Sequence, residues 1–139
     1  MQKLLCAVIL VLGAGCATSA DLVREKDEGT ARRYPVTADQ AWDITKTIFR
    51  WAGAEQVDEH RAEGYIVATD APGRVDYGTL MVAWVERDPD GVMRVIVRTQ
   101  SRMRLNPAVV LTEEGFHRRF VQAMSLVQEG KPLPAKPPD

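Results

Sequence analysis

Apolar residues follow a helical period twice along this chain and a strand period in between. Ala38, Ala41, Trp42, Thr45, Ile48, Phe49 and Ala52 fall on one side of a helix, with Asp39, Asp43, Lys46 and Arg50 on the other. Thr37 and Gln40 have the spacing of a capping box before it, and Gly53 stands where such a helix stops. A second stripe, Phe116, Phe120, Ala123, Met124 and Val127, predicts a closing helix. It starts at Thr112, carries Glu113 and Glu114 in a first turn whose dipole favours acids, and ends at Gly130 and Pro132.

Between the helices the period changes to two. Gln56–His60 and Gly64–Thr69 read as strands around a polar turn. Tyr77–Arg87 and Val92–Leu105 are longer, and Asp88-Pro89-Asp90-Gly91 joins them with Pro and Gly where a type I turn with a glycine bulge needs them. That turn sets Asp88 opposite Val92, hence Glu86 opposite Arg94 and Trp84 opposite Ile96. Side-chain alternation then sorts the two faces. Tyr77, Thr79, Met81, Ala83 and Val85, with Val95, Val97, Thr99, Ser101 and Met103, belong to the core beneath the helices. Leu80, Val82, Trp84 and Glu86, with Arg94, Ile96, Arg98, Gln100 and Arg102, make the outer face. Arg32–Val36 reads as a short edge strand, where Pro35 is tolerated. The expected fold is α+β, a two-layer sandwich of an antiparallel sheet with two helices on one face, in the order β-α-β-β-β-β-α.

Composition agrees with one domain: 139 residues, 45% hydrophobic and 27% charged. Eighteen basic residues against 19 acidic ones give no overall pull toward nucleic acid, and none is expected as a partner. The balance is uneven along the chain. Residues 55–90 hold nine acids and three bases, whereas residues 91–119 hold six bases and two acids.

The chain starts Met1-Gln2-Lys3, continues apolar through Leu4–Leu12, and then runs Gly13-Ala14-Gly15-Cys16. This is the order of a secretory signal, and the apolar run is too short to span a bilayer, which takes about 20 residues. Leu12-Gly13-Ala14-Gly15-Cys16-Ala17-Thr18 resembles the lipobox of bacterial lipoproteins, with Gly13 where that family has Leu three residues before the cysteine. The resemblance implies that Cys16 receives a diacylglycerol, that the signal is cut before it, and that the new amine is acylated. Ala17 in place of Asp implies sorting to the outer membrane, on its periplasmic face. The alternative is an ordinary secretory signal cut near Ala17 or Ala20, giving a secreted or periplasmic soluble protein. Loss of residues 1–15 from the 139 leaves 124, removes Lys3 and Cys6, and moves the net charge from −1 to −2. Two or three acyl chains hold a protein on a membrane durably, since each buried CH₂ contributes about 0.8 kcal/mol.

The expected organisation is a signal peptide at 1–15, a lipidated tether at 16–30, the α+β domain at 31–129 and a flexible proline-rich tail at 130–139. The tether is polar and charged, and the tail carries Pro132, Pro134, Pro137 and Pro138. The folded part is also similar, through its Tyr-Pro-Val start, Ala-Trp helix, Gly-Tyr-Ile strand and closing helix, to small outer-membrane lipoproteins of uncharacterised function. Its order of elements resembles the helix-grip domains of lipoproteins that accompany outer-membrane barrel assembly.

Candidate chemistry is sparse. Arg94, Arg98, Arg102 and Arg104 share one side of one strand, with Trp84 and Ile96 among them. This is either a binding face for an envelope protein or anionic surface, or the ordinary polar side of an open sheet with arginine stems over Trp84 and Val82. His60 in the polar turn and His117 on the polar side of the closing helix have no second ligand at metal spacing, so no metal is expected. Ser101 and Ser125 lack a nucleophile elbow, Asp58, Glu59 and Glu63 read as a solvated turn, and Asp70–Arg74 is not a phosphate loop. The expectation is a non-enzymatic envelope lipoprotein without cofactor that contacts another envelope component. The alternative is a small-molecule or lipid carrier with a pocket between the first long helix and the sheet, near Trp42, Phe49 and Tyr77.

Overall fold

A computed structural model of the chain describes residues 19–69, 79–101 and 111–139. Helix α1 (Ser19–Val23) and a single 3₁₀ turn (Lys26–Glu28) precede strand β1 (Thr30–Tyr34). Helix α2 (Ala38–Trp51) follows, then β2 (Gln56–His60), β3 (Tyr65–Thr69), β4 (Thr79–Arg87), β5 (Met93–Ser101) and helix α3 (Glu113–Gln128). All strand pairs are antiparallel, in the order β1-β5-β4-β3-β2. The α+β sandwich, its closing helix and its edge strand thus stand as the periodicity indicates. Ser101 is the last described residue of β5, and Arg102, Met103, Arg104 and Tyr77 lie outside the described residues.

Local chemistry fixes the ends of these elements. Thr37 Oγ1 accepts from the Gln40 amide at 3.1 Å and Gln40 Oε1 accepts from the Thr37 amide at 3.0 Å, a complete capping box. Gly53, at φ +90°, turns the chain out of α2 while the Ala54 amide donates back to the Phe49 carbonyl. Thr112 caps α3 by accepting from the Gly115 amide at 2.9 Å. The Asp88 amide donates to the Val92 carbonyl, the Gly91 amide donates to the Asp88 carbonyl, and Gly91 sits at φ +86°. This turn imposes the expected register from Arg87↔Met93 to Thr79↔Ser101, with Glu86↔Arg94 and Trp84↔Ile96 within it. β1 lies two residues earlier than the sequence pattern indicates. Pro35 has no amide to give the ladder, so pairing with β5 ends at Tyr34.

The core fills the space between the sheet and the two long helices. Ala41, Trp42, Ile44, Ile48 and Phe49 of α2 and Phe116, Phe120 and Ala123 of α3 pack on Ile66, Ala68, Met81, Ala83, Val95 and Val97. Ile44 widens the α2 stripe beyond the expected positions, and Ala38 is exposed because it precedes the first turn that reaches the sheet.

The other side of the sheet also carries a core. Val67, Leu80, Val82, Trp84 and Ile96 are buried beneath Leu22, which is fully buried itself. Residues 19–28, expected as part of a flexible tether at 16–30, instead form α1 and the 3₁₀ turn and lie on this face. Five apolar side chains in a patch are more surface than an isolated sheet leaves in water. Gly29 then lets the chain cross β5 closely: a Cβ there would stand 2.8 Å from both the Val97 carbonyl oxygen and Ile96 Cγ2. The tail also contacts the domain. Leu133 packs against the main core, and the Trp51 indole donates to the Pro134 carbonyl at 2.9 Å.

Leu22→Ala is expected to destabilise the domain by about 2–5 kcal/mol, the range for a buried leucine. Urea denaturation of wild type and variant measures this, and an unchanged midpoint would return residues 19–28 to the status of a tether.

Candidate functional site

The outer sheet face is the surface that the sequence singles out, and α1 closes it. Trp84 lies beneath Leu22 and retains 5% of its surface. Arg98 Nε bonds Glu25 at 3.0 Å, its Nη2 meets Glu28 at 3.3 Å, and its Nη1 faces Glu113 at 3.6 Å. The Glu25 hydrogen bond, followed by the opposing cost of burial and the pull of the other carboxylates, raises the Arg98 pKa above its ordinary value. Arg94, across from Glu86 in the ladder, pairs with Asp88 at 3.2 Å, while Glu86 is met by Lys26. Of the four residues expected to make a contact surface, Trp84 is buried, Arg94 and Arg98 are paired within the chain, and Arg102 lies outside the described residues. Cys16 lies outside them too.

A second polar assembly joins β1 to α3. His117, expected on the exposed side of its helix, is 2% exposed. Its stripe is wider than the apolar letters indicate: Glu113, His117, Phe120 and Met124 follow one another at helical spacing and turn the histidine inward. His117 Nε2 lies 2.7 Å from the Thr30 carbonyl oxygen and must donate to it. Nδ1 lies 2.7 Å from the Tyr34 hydroxyl, and in the neutral ring, the form that burial favours, it accepts from that hydroxyl. Tyr34 stacks on Phe120 with ring centroids 4.0 Å apart. Burial lowers the His117 pKa, opposed by its bond to Thr30, and burial pushes the Tyr34 pKa up to about 12. A tyrosine against a neutral imidazole is a proton-transfer pair when a substrate reaches it. Here both rings are enclosed, and the pair ties an edge strand to a helix.

A third assembly lies between α2 and β2. The Trp42 indole donates to the Glu59 carboxylate, which also meets Lys46 at 3.3 Å and Arg61 at 3.7 Å. The Arg61 guanidinium lies 4.9 Å above the Trp42 ring. The indole hydrogen bond leads the causes that hold the Glu59 carboxyl below its ordinary pKa. Trp42 and Phe49, the described members of the expected ligand pocket, are packed within the main core. Among the described residues no group of three or more His, Cys, Asp and Glu side chains is placed to hold a metal ion. His60, half-buried, stacks on Tyr65 at 4.5 Å.

The tail makes a concave feature on the helix layer. A cleft of about 490 Å³ opens between α3 and the tail, lined by Leu126, Lys131, Pro134, Lys136 and Pro137 among others. Besides Trp51, Arg119 holds the tail by donating to the Pro138 carbonyl at 2.7 Å. The proline letters show an extended segment, but they carry no signal of the two donors that bind its carbonyls.

The chain matches no protein-family model, no curated protein and no solved structure.

The lowered His117 pKa gives stability a pH dependence of known sign. Above about pH 6.5 the ring is neutral in both folded and unfolded chains, and stability is unaffected by its titration. As pH falls below that value the unfolded chain binds a proton that the folded chain refuses, so stability drops. Urea midpoints measured from pH 8 to 5 are expected to decline below about 6.5 in wild type and to decline less in His117→Gln. Trp51→Phe removes one hydrogen bond worth about 0.5–1.5 kcal/mol and is expected to speed proteolytic trimming of residues 131–139 by roughly 2- to 10-fold.

Proposed function

We propose that the protein is a lipoprotein of the bacterial envelope, anchored through Cys16 at the periplasmic face of the outer membrane, whose α+β domain acts by binding rather than by catalysis. The observation that carries this reading is the start of the sequence: one lysine, an apolar run through Leu12, and Gly13-Ala14-Gly15-Cys16-Ala17-Thr18, which resembles a lipobox. Ser19, the first described residue, already belongs to α1 only three positions after Cys16, and Leu22 is buried under the sheet. A chain held by its lipidated cysteine thus has the described body within a few residues of the attachment point.

The non-enzymatic part of the reading is supported by what the polar side chains are spent on. His117 and Tyr34 satisfy each other in the core, Glu59 satisfies Trp42, Lys46 and Arg61, and Arg98 is shared by three carboxylates. Among the described residues no helix is long and apolar enough to cross a membrane. The partner class is another envelope component.

Mass spectrometry of the mature protein is expected to show an N-terminal Cys16 bearing a diacylglycerol and an amide-linked acyl chain. Cys16→Ser is expected to move the protein from the membrane fraction to the unprocessed or soluble fraction. A mature chain starting at Ala17 or beyond, without lipid, overturns the proposal.

A further inference from the structure

The position of α1 carries a further consequence, which rests on the lipid anchor proposed above. We infer that the anchored domain stands with the outer sheet face and its α1 cover toward the bilayer, and with the layer of α2, α3 and the tail turned away from it. The partner of the covered face is the lipid surface.

Chain length decides this. Two residues lie between Cys16 and Ser19, which makes three Cα-to-Cα steps, and a fully extended chain spans at most about 3.3–3.6 Å per step, so the acylated cysteine lies within roughly 11 Å of Ser19. Helix α1 lies over β4, the central strand in the order β1-β5-β4-β3-β2. Neighbouring strands are about 4.8 Å apart, so either edge of the sheet is about 10 Å from β4, and the helix layer is about another 10 Å beyond the sheet. The tether reaches an edge at full stretch and cannot pass round it to the helices. The anchor therefore emerges on the α1 side.

α1 is not free to swing out and lengthen the tether. Leu22 is fully buried, Lys26 pairs with Glu86, and Glu25 and Glu28 hold Arg98. Charge attraction is not the source of the orientation. Residues 19–28 carry Asp21, Glu25, Asp27 and Glu28 against Arg24 and Lys26, an excess of acid that an anionic surface does not attract. The covered face is thus held near lipid by covalent geometry and not by the charge of residues 19–28.

The chain has two cysteines, Cys6 within the signal and Cys16 at the anchor, so introduced thiols can be labelled singly in the lipidated protein. Asp58 on β2 pairs with Val67 and shares the outer face, and Val121 is an exposed position on α3. The lipidated protein carrying Asp58→Cys or Val121→Cys is labelled with a fluorophore. It is reconstituted in vesicles of phosphatidylethanolamine with a minor fraction of phosphatidylglycerol, bearing a headgroup quencher. Quenching is expected to be several-fold stronger at position 58 than at position 121. A flexible Gly-Ser insertion between Cys16 and Ser19 is expected to level the two. Unlipidated Cys16→Ser protein is expected to float free of the same vesicles. Equal quenching in protein that mass spectrometry shows to be lipidated, or stronger quenching at 121, overturns the orientation while leaving the lipoprotein reading intact. Absence of lipid on the mature protein overturns both.

Discussion

Insertion of Leu22 into the outer face of the sheet is the contact on which the arrangement depends. Both long helices lie on one side, so Val67, Leu80, Val82, Trp84 and Ile96 need another cover. Ten residues supply it. Their ion pairs are partly exposed, and such pairs are worth about 0–1 kcal/mol each. Burial of one leucine contributes about 1.5–3 kcal/mol, and the apolar area that it closes adds to that. Leu22 therefore fastens the segment, and the charged residues keep it in place and in register. The close passage at Gly29 then delivers the chain to β1, which makes this cover the lead-in to an edge strand as well.

What was legible in the sequence was whatever is decided locally or by period. The Asp88–Gly91 turn defined the pairing of β4 with β5 residue by residue, and from it the two faces of the sheet followed. Thr37, Gly53 and Thr112 marked helix ends through hydrogen bonds within a few residues. The cover was illegible for the opposite reason. A five-residue helix cannot form alone, because nucleation is too costly, and Asp-Leu-Val-Arg-Glu-Lys-Asp-Glu has the composition of a solvated linker. Its order comes from one leucine meeting a patch more than 40 residues away. His117 shows the same limit. A histidine between Phe116 and Arg118 has no local mark of burial, and its inward position depends on Thr30 and Tyr34 standing across from it.

The uneven charge of the sequence has a similar explanation. Acids of residues 55–90 and bases of residues 91–119 read as a polarised molecule, yet folding spends much of that polarity internally. Asp88 takes Arg33 and Arg94, Asp90 takes Arg33, and Glu59 takes Lys46 and Arg61. Arg98 reads as part of a ligand face because two of its partners, Glu25 and Glu28, lie in a segment with the composition of a linker, while Arg94 pairs with Asp88 of the adjoining turn. An arginine row on a strand is informative about binding only when the segments that can fold over it have been placed.

Glu113 is the point where the covered face and the helix layer meet. It lies in the first turn of α3, where the helix dipole favours a carboxylate. Its Oε1 accepts from the Thr30 amide at 3.0 Å and from the Thr30 hydroxyl at 3.1 Å, while Oε2 faces Arg98 at 3.6 Å. The Thr30 carbonyl in turn receives His117, and His117 receives Tyr34. One uninterrupted line of polar contacts therefore runs from Glu25 and Glu28 beside α1 through Arg98 and Glu113 to Tyr34 in the main core. Each member satisfies the next, and removing a buried partner leaves the other at a cost of about 1–3 kcal/mol. The edge strand β1 is held by this line on its helix side and by β5 on its ladder side. That is how a five-residue edge with a proline immediately after it stays in the sheet, and why the cover and the helix layer form one body and not two.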